Sequence, residues 1–336
     1  MKVIFLATDK DKVNKVYAKE LIEKTDPHLW PLKVFTKDEV IADKKSFKDV
    51  QFIFSTWYMP QFEDNEVRDL FPSLEALFYA AGTVRYFARP FLKAGVRVFS
   101  AASANGIPVA EFTLAQVILA NKGYYQAQAA YRKPLYRLSF NFARRYMLAR
   151  CGNYRACVGI IGAGAVGRRV IDLLKTYDLN IYVYDPYVPE EVIRGLGAEK
   201  MDLKDIFKKC DVISNHLPDI DSTKGLLDYN LFGSMKETAT FINTGRGAQV
   251  VEKDMIKALK EKPLACAVLD VTGHEPLFPW SPLYRCRNAF ITPHLAGSSG
   301  NEEQRMAEFV FDSYQEYITN GIGSGEVTAK MLGTMA

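Results

Sequence analysis

The sequence predicts an α/β protein made of two Rossmann-like or flavodoxin-like doubly wound parallel-sheet domains. Three observations carry that expectation. Strand-like apolar runs alternate with helical segments along most of the chain, a glycine triplet stands between one such strand and the helix after it, and 336 residues with 48% hydrophobic content suffice for two packed cores.

In order, residues 1 to about 100 read as KVIFLAT, VNKVYAKELIEK, FIFSTW, LEALFYAAG and VRVFSA, an alternation that predicts a small α/β domain with a parallel sheet. A long helical pattern from Val109 to about Ala130, with Pro108 near its first turn, is expected to carry the chain between domains. Next comes ACVGIIGAGAVGRRVIDLLKTYDLNIYVYDP: an apolar strand, Gly162, Gly164 and Gly167, a helix with Val166, Val170, Leu173, Leu174 and Tyr177 at helical spacing, a second strand, and Asp185 at its end. Four further strands follow, DVISNH, ATFINT, ACAVLDV and AFITPH, separated by helical segments such as EKDMIKALKEK. A last helix from Glu302 to about Ile318 lies beyond the final strand and is expected to return to the first domain. The expected division is therefore a discontinuous substrate (catalytic) domain, 1–104 with 302–336, and a dinucleotide-binding Rossmann domain, 105–301. The closing GIGSGEVTAKMLGTMA reads as a weakly ordered tail.

The glycine segment carries a mechanical meaning. The first glycine makes the tight turn, the second lets backbone approach a pyrophosphate, and the third lets helix pack on strand. The phosphates would sit on the N–H groups of the helix start. Asp185 would accept hydrogen bonds from the ribose hydroxyls and repel a 2′-phosphate, which favours NAD over NADP.

In an open parallel sheet, ligands bind beyond the carboxyl ends of the strands. There the sequence places His216, Asn243, Thr244, Gly245, Arg246, Asp270 and His294. His294 is the acid/base candidate, since imidazole titrates near neutral pH, and Glu275 would orient it and raise its pKa. Arg246 offers a planar cationic fork for a carboxylate and its neighbouring carbonyl. A histidine after a strand also serves as a cap, a glutamate before proline as a loop residue, and an arginine between glycines as the pin of a turn. Joined at strand ends downstream of the glycine segment, the three favour hydride-transfer chemistry on an acidic substrate.

Composition excludes other classes. A net charge of +4 from 43 basic and 39 acidic residues, with no basic stripe, gives no reason to expect nucleic acid. The five cysteines stand at no metal-ligand spacing, so reduced thiols and no metal are expected. MKVIFLATDKDK breaks its apolar run with charge, and no run suits a membrane span, so the expectation is a cytoplasmic protein without membrane association.

At these residues the chain resembles the D-isomer-specific 2-hydroxyacid dehydrogenase family, which interconverts 2-oxo acids and D-2-hydroxy acids with NAD(H). The likeness runs from NGIPVAEFTLAQVILA through VGIIGAGAVG, HLPDIDSTKGLL, FINTGRGAQVVEKDMIKAL and LDVTGHEPL to SPLYRCRNAFITPHLAG. It implies that Arg246 binds the substrate carboxylate and carbonyl, Glu275 pairs with the histidine, and His294 donates the proton. It also implies cofactor contacts from Ala165 and Val166 at the pyrophosphate, from Pro218 and Thr223 on the adenosine side, and from Thr244, Gly245, Asp270 and Gly297 nearer the nicotinamide. In the first domain it places the substrate carboxylate on the backbone of Tyr79 to Thr83, with Ala81 and Gly82 central; an ordinary strand-to-helix turn is the alternative there. Trp57 and Tyr58 either wall the substrate pocket or pack between domains. Arg85 either meets a second anionic group such as phosphate or forms a surface salt bridge.

The chain departs from the family pattern at Thr83-Val84-Arg85, at Asp219-Ile220 where leucine-threonine is usual, and at Thr272 where an aromatic is usual. The resemblance further implies a homodimer through an arm within Tyr124 to Tyr154, and too few residues follow the last helix for a regulatory domain. The expected function is reduction of a 2-oxo acid, as in a glyoxylate/hydroxypyruvate reductase or a phosphoglycerate dehydrogenase. Two alternatives stand beside it: a formate dehydrogenase, disfavoured by Glu275 where a glutamine is usual, and an NAD-binding corepressor or scaffold without turnover.

Overall fold

The computed structural model describes residues 2–132, 134, 141, 144 and 152–333. The chain divides into two compact units, Met1–Gly106 with Ser298–Met335, and Ile107–Gly297.

The first unit carries strands β1 (Val3–Leu6), β2 (Val34–Phe35), β3 (Phe52–Ser55), β4 (Ala76–Tyr79) and β5 (Arg97–Ser100), mutually parallel in the order β5-β4-β3-β1-β2. β3 and β4 are buried along their whole length, which is why FIFS and ALFY read as unbroken apolar runs instead of alternating ones. LEALFYAAG thus supplies a strand and the turn after it. The helix that joins β3 to β4, Glu66–Leu70, lies in a charged stretch that gave no sequence signal.

VNKVYAKELIEK folds as two helices, Lys10–Val16 and Lys19–Thr25. The break falls at Tyr17, which turns its ring into the core against Phe5 (5.0 Å) and Phe311 (5.6 Å) and donates its hydroxyl to the Ser55 carbonyl at 2.8 Å. The centre of this core is aromatic, with Phe54 on Phe78 (5.2 Å) and Phe78 on Phe99 (4.8 Å). The final helix, Glu302–Asn320, lays Met306, Val310, Phe311 and Tyr314 along one buried stripe and sets Phe311 4.9 Å from Phe54. Gly321, in the left-handed region (φ 71°), ends that helix.

Two sequence expectations need correction. The tail is not weakly ordered as far as it is described: β13 (Glu326–Val327) pairs antiparallel with β5, and Arg97 grips Glu326 at 2.5 Å. An open β5 edge leaves backbone groups unpaired, and the tail satisfies them, a tertiary demand invisible in a Gly- and Ser-rich string. The long helical pattern is two helices, Ala102–Asn121 and Tyr124–Tyr131, split at Gly123 (φ 66°). Pro108 sits inside the first of them instead of at its start. A proline there removes one backbone bond among many, and the helix tolerates it.

The second unit carries β6 (Cys157–Ile161), β7 (Asn180–Tyr184), β8 (Glu199–Lys200), β9 (Val212–Asn215), β10 (Thr240–Asn243), β11 (Cys266–Leu269) and β12 (Ala289–Ile291). They form a wholly parallel sheet in the order β12-β11-β10-β9-β6-β7-β8. The two-residue β8 is too short to show in the sequence. Strand order reverses between β6 and β9, the kind of switch point at whose carboxyl edge open α/β sheets bind ligands. The helix after β6, Ala165–Leu174, packs Val170, Ile171 and Leu174 inward, and Tyr177 lies beyond its end. Much of the proposed dimer arm, residues 135–140 and 145–151, lies outside the described residues.

The aromatic centre makes a direct prediction for the first unit. Phe54→Ala should destabilise it by about 3–5 kcal/mol, read by urea unfolding; a change under about 1 kcal/mol would mean the cluster collapses to fill the gap.

Candidate active site

The loop between β6 and the helix Ala165–Leu174 is shaped by close approach. Gly162 has φ 95°, and a Cβ there would stand 2.8 Å from the His216 carbonyl oxygen; one on Gly167 would stand 2.0 Å from the Gly162 oxygen. A Cβ on Gly164 would meet nothing within 4 Å, so this is the open face of the loop. The helix start has no side-chain cap and no acid in its first turn, which leaves its N–H groups for an anion. Asp185 accepts hydrogen bonds from the N–H groups of Ala163 (2.8 Å), Tyr187 (2.9 Å) and Val188 (3.1 Å), so its carboxylate also ties the glycine loop to the end of β7. Open backbone, free helix N-terminus and adjacent carboxylate fit a dinucleotide.

On the other side of the switch point, Thr223 donates its hydroxyl to the Pro218 carbonyl at 2.6 Å and closes the loop after β9. Thr244 is buried with its hydroxyl 2.9 Å from that of Thr113, and the Gly245 N–H donates to Asn243 Oδ1 at 3.1 Å. Gly297 is half-buried at the close of the segment that carries His294.

His294 Nδ1 lies 2.7 Å from Glu275 Oε2, and Glu275 Oε1 accepts the Thr272 N–H at 3.1 Å. The carboxylate is therefore fixed before it meets the ring, and Nε2 is turned away from it. His294 has φ 51°, a conformation that L-residues rarely adopt and that its surroundings must hold. Asp270, 2% exposed, provides the hold. Its carboxylate accepts the Thr292 hydroxyl (2.7 Å) and the N–H groups of Leu295 (2.9 Å) and Ala296 (2.9 Å), and its carbonyl accepts the His294 N–H at 3.0 Å. The sequence reading gave Asp270 to the cofactor and missed this support. The signal was an acid closing an apolar strand.

Arg246 follows β10 and donates from Nη1 to the Gly245 carbonyl at 2.8 Å. Burial lowers its pKa, while the nearby Asp219 and Glu275 carboxylates push it back up. An arginine remains charged under such a shift, so the site holds a desolvated cation within electrostatic reach of the Glu275–His294 pair. The second unit thus brings Arg246, Glu275 and His294 together. His216 is a different case: its ring lies 2.9 Å from the Ser214 hydroxyl, and burial pushes its pKa down to about 4. An imidazole held neutral at pH 7 is a poor proton donor.

The remaining residues singled out lie in the first unit. The N–H groups of Ala80 and Ala81 donate to Ser55 and Tyr79 carbonyls at 2.8 and 2.9 Å, which leaves those of Gly82 and Thr83 as the candidate donors of that loop. Trp57 carries the Lys12 ammonium 4.4 Å from its ring centroid. Tyr58 has φ 66° and is 60% exposed, and Arg85 is exposed.

Fold and site together define a dinucleotide-fold protein with an imidazole–carboxylate pair and a half-buried arginine at the sheet's carboxyl edge. The chain belongs to the D-isomer specific 2-hydroxyacid dehydrogenase family, whose NAD binding domain matches residues 115–296. It is 31% identical over 249 residues to a glyoxylate reductase of Thermofilum pendens, covering 73% of this chain and 72% of that protein. It is 42% identical over 145 residues to the putative 2-hydroxyacid dehydrogenase YoaD of Bacillus subtilis, covering 42% of this chain and 41% of that one. With that relative and a glyoxylate reductase of Aeropyrum pernix, the match spans less than half of the relative's length, 41% and 45%. The structure of a D-2-hydroxyisocaproate dehydrogenase superposes with a TM-score of 0.76 at 21% identity, covering 98% of this chain and all of that one, and shares its fold. No helix among the described residues is long and apolar enough to cross a membrane.

His216 makes this site's pH prediction. Its folded pKa lies below the ordinary 6.5, so its contribution is full above pH 6.5 and is lost as pH falls toward about 4, because the unfolded imidazole takes a proton that the folded one refuses. His216→Gln should flatten the fall in melting temperature between pH 7 and pH 5, and an unchanged slope would count against an imidazole held neutral in the folded chain.

Proposed function

We propose that this chain is an NAD(H)-dependent oxidoreductase that interconverts a 2-oxo acid and a D-2-hydroxy acid. The observation that carries the reading is the 2.7 Å contact of His294 with Glu275, within electrostatic reach of the half-buried Arg246, on the sheet that bears the dinucleotide loop. NADH, held by the loop from Gly162 to Gly167 and by Asp185, supplies the hydride when bound.

The rest is done by the chain's own side chains. Arg246 pairs with the substrate carboxylate and polarises the adjacent carbonyl, and its desolvation strengthens both effects. Glu275 holds the imidazole through Nδ1, so His294 presents Nε2 and delivers a proton from it to the carbonyl oxygen as charge develops there. In the oxidative direction the same nitrogen accepts it. Hydride transfer from formate needs no such donor, and Glu275 stands where a formate enzyme would do without an acid. No observation favours a scaffold without turnover.

The discontinuous unit is proposed as the substrate domain, with Gly82 and Thr83 offering N–H groups to the carboxylate and Trp57 and Arg85 bordering the substrate side chain. The relatives' names, glyoxylate reductase and D-3-phosphoglycerate dehydrogenase, support small 2-oxo acids as substrates. A homodimer in the cytoplasm completes the proposal, supported by the family likeness and by cysteines 157, 210, 266 and 286 being thiols rather than disulfides.

Oxidation of NADH followed against glyoxylate, hydroxypyruvate, pyruvate and 3-phosphohydroxypyruvate tests the reading. His294→Ala should cut turnover by about 10²–10⁴-fold with NADH affinity kept; a variant as active as the unaltered chain would remove His294 from its role. Asp185→Ser should raise the NADPH-to-NADH preference at least about tenfold and loosen the glycine loop it ties down. An unchanged ratio of kcat/KM values would take cofactor choice away from Asp185.

A further inference from the structure

Behind Arg246 lie three carboxamides that the proposed chemistry does not use. Asn215 ends β9, Asn243 ends β10, and Gln249 follows the arginine by three positions; all three are fully buried. Asn215 Nδ2 donates to Asn243 Oδ1 at 3.0 Å and to Gln249 Oε1 at 2.5 Å. Asn243 Nδ2 donates to the Arg246 carbonyl at 3.0 Å, and the Arg246 N–H donates to Gln249 Oε1 at 3.2 Å. Gln249 Nε2 then donates to the carbonyls of Leu217 (2.8 Å) and Pro218 (2.9 Å).

The backbone of Arg246 is thus held on both sides. The same glutamine fixes the two residues that precede Asp219, one of whose carboxylate oxygens is buried with no hydrogen-bond partner among the described residues. Gln249 uses two donors and two acceptor positions, its full capacity. Its bonds run to Asn215 and to the loops that carry Arg246 and Asp219.

We propose that Gln249 is a positioning residue for Arg246. By tying the loop after β10 to the loop after β9, it sets where the guanidinium stands relative to Asp219 and Glu275, and so how well a substrate carboxylate is held. The proposal rests on the oxo-acid reading above. Its physical basis is that a side chain of the same length without the amide leaves the Leu217 carbonyl and the Arg246 N–H unpaired in a buried place, while Pro218 keeps the Thr223 hydroxyl, so the two loops must shift to find partners. A displacement of about 1 Å at a charged substrate contact is enough to cost on the order of 10²-fold in rate.

The test compares Gln249→Met, Gln249→Glu and Arg246→Ala in the full chain, using NADH with glyoxylate and with hydroxypyruvate, the NADH dissociation constant, and the melting temperature. Gln249→Met should raise KM for the oxo acid at least about tenfold and lower kcat/KM by about 10–100-fold, with the NADH dissociation constant unchanged within about twofold. Gln249→Glu keeps an acceptor for the Arg246 N–H and should fall between Gln249→Met and the unaltered chain. It carries the comparison if the methionine variant does not fold. Folded Gln249 variants with unaltered KM, alongside an Arg246→Ala protein that has lost turnover, would overturn the positioning role alone. Failure of both Gln249 variants to fold would make the residue structural and overturn it too. An Arg246→Ala protein as active as the unaltered chain, or an unaltered chain that reduces neither acid, would instead sink the oxo-acid reading and this inference with it.

Discussion

Asp270 sits at the end of β11 with almost no exposure, and its carboxylate accepts hydrogen bonds from Thr292, Leu295 and Ala296. A buried carboxylate left unpaired would be costly, so these bonds hold the loop as firmly as the loop holds the acid. His294 owes its left-handed backbone to that grip. The same constraint governs the carboxyl edge: in the loops leaving β9, β10 and β11, backbone groups that other backbone does not pair are taken up by side chains from a strand end or a neighbouring loop. Asn215, Asn243 and Gln249 do this for the loop of Arg246, and Thr223 does it for the loop after β9.

The electrostatics follow from this rigidity. Arg246 carries its charge in a partly desolvated place, where a lone cation is unstable. Asp219 and Glu275 moderate the charge without removing it. Asp219 adds a negative neighbour to the arginine, with a direct consequence for the local field. Glu275 acts on two partners at once, the imidazole by direct contact and the guanidinium through space.

Stability and chemistry are kept on separate residues. In the first unit, packing is carried by the rings of Phe5, Phe54, Phe78, Phe99, Phe311 and Tyr314, and the helix that supplies the last two comes from the far end of the chain. In the second, Gly162 and Gly167 permit backbone contacts that no side chain could enter, while Gly164 faces open space. Two glycines of the triplet therefore serve the fold, and the third serves access.

The sequence by itself determined the two parallel sheets, the glycine turn, Asp185 at the end of β7, and the strand-end positions of Arg246, Asp270 and His294. Each is a local pattern, set by apolar periodicity or by a turn that only glycine can make. It did not show the two-residue β8, the pairing of Glu326 and Val327 with β5, or the unbroken run of the Ala102–Asn121 helix through Pro108. Only the tertiary structure decided that Asp219 and Glu275 both lie within electrostatic reach of Arg246, and that Gln249 binds two loops together. Those contacts join residues far apart in the chain, and their partners are chosen by the need to satisfy buried polar groups once the strands have come together, a condition that no window of sequence contains.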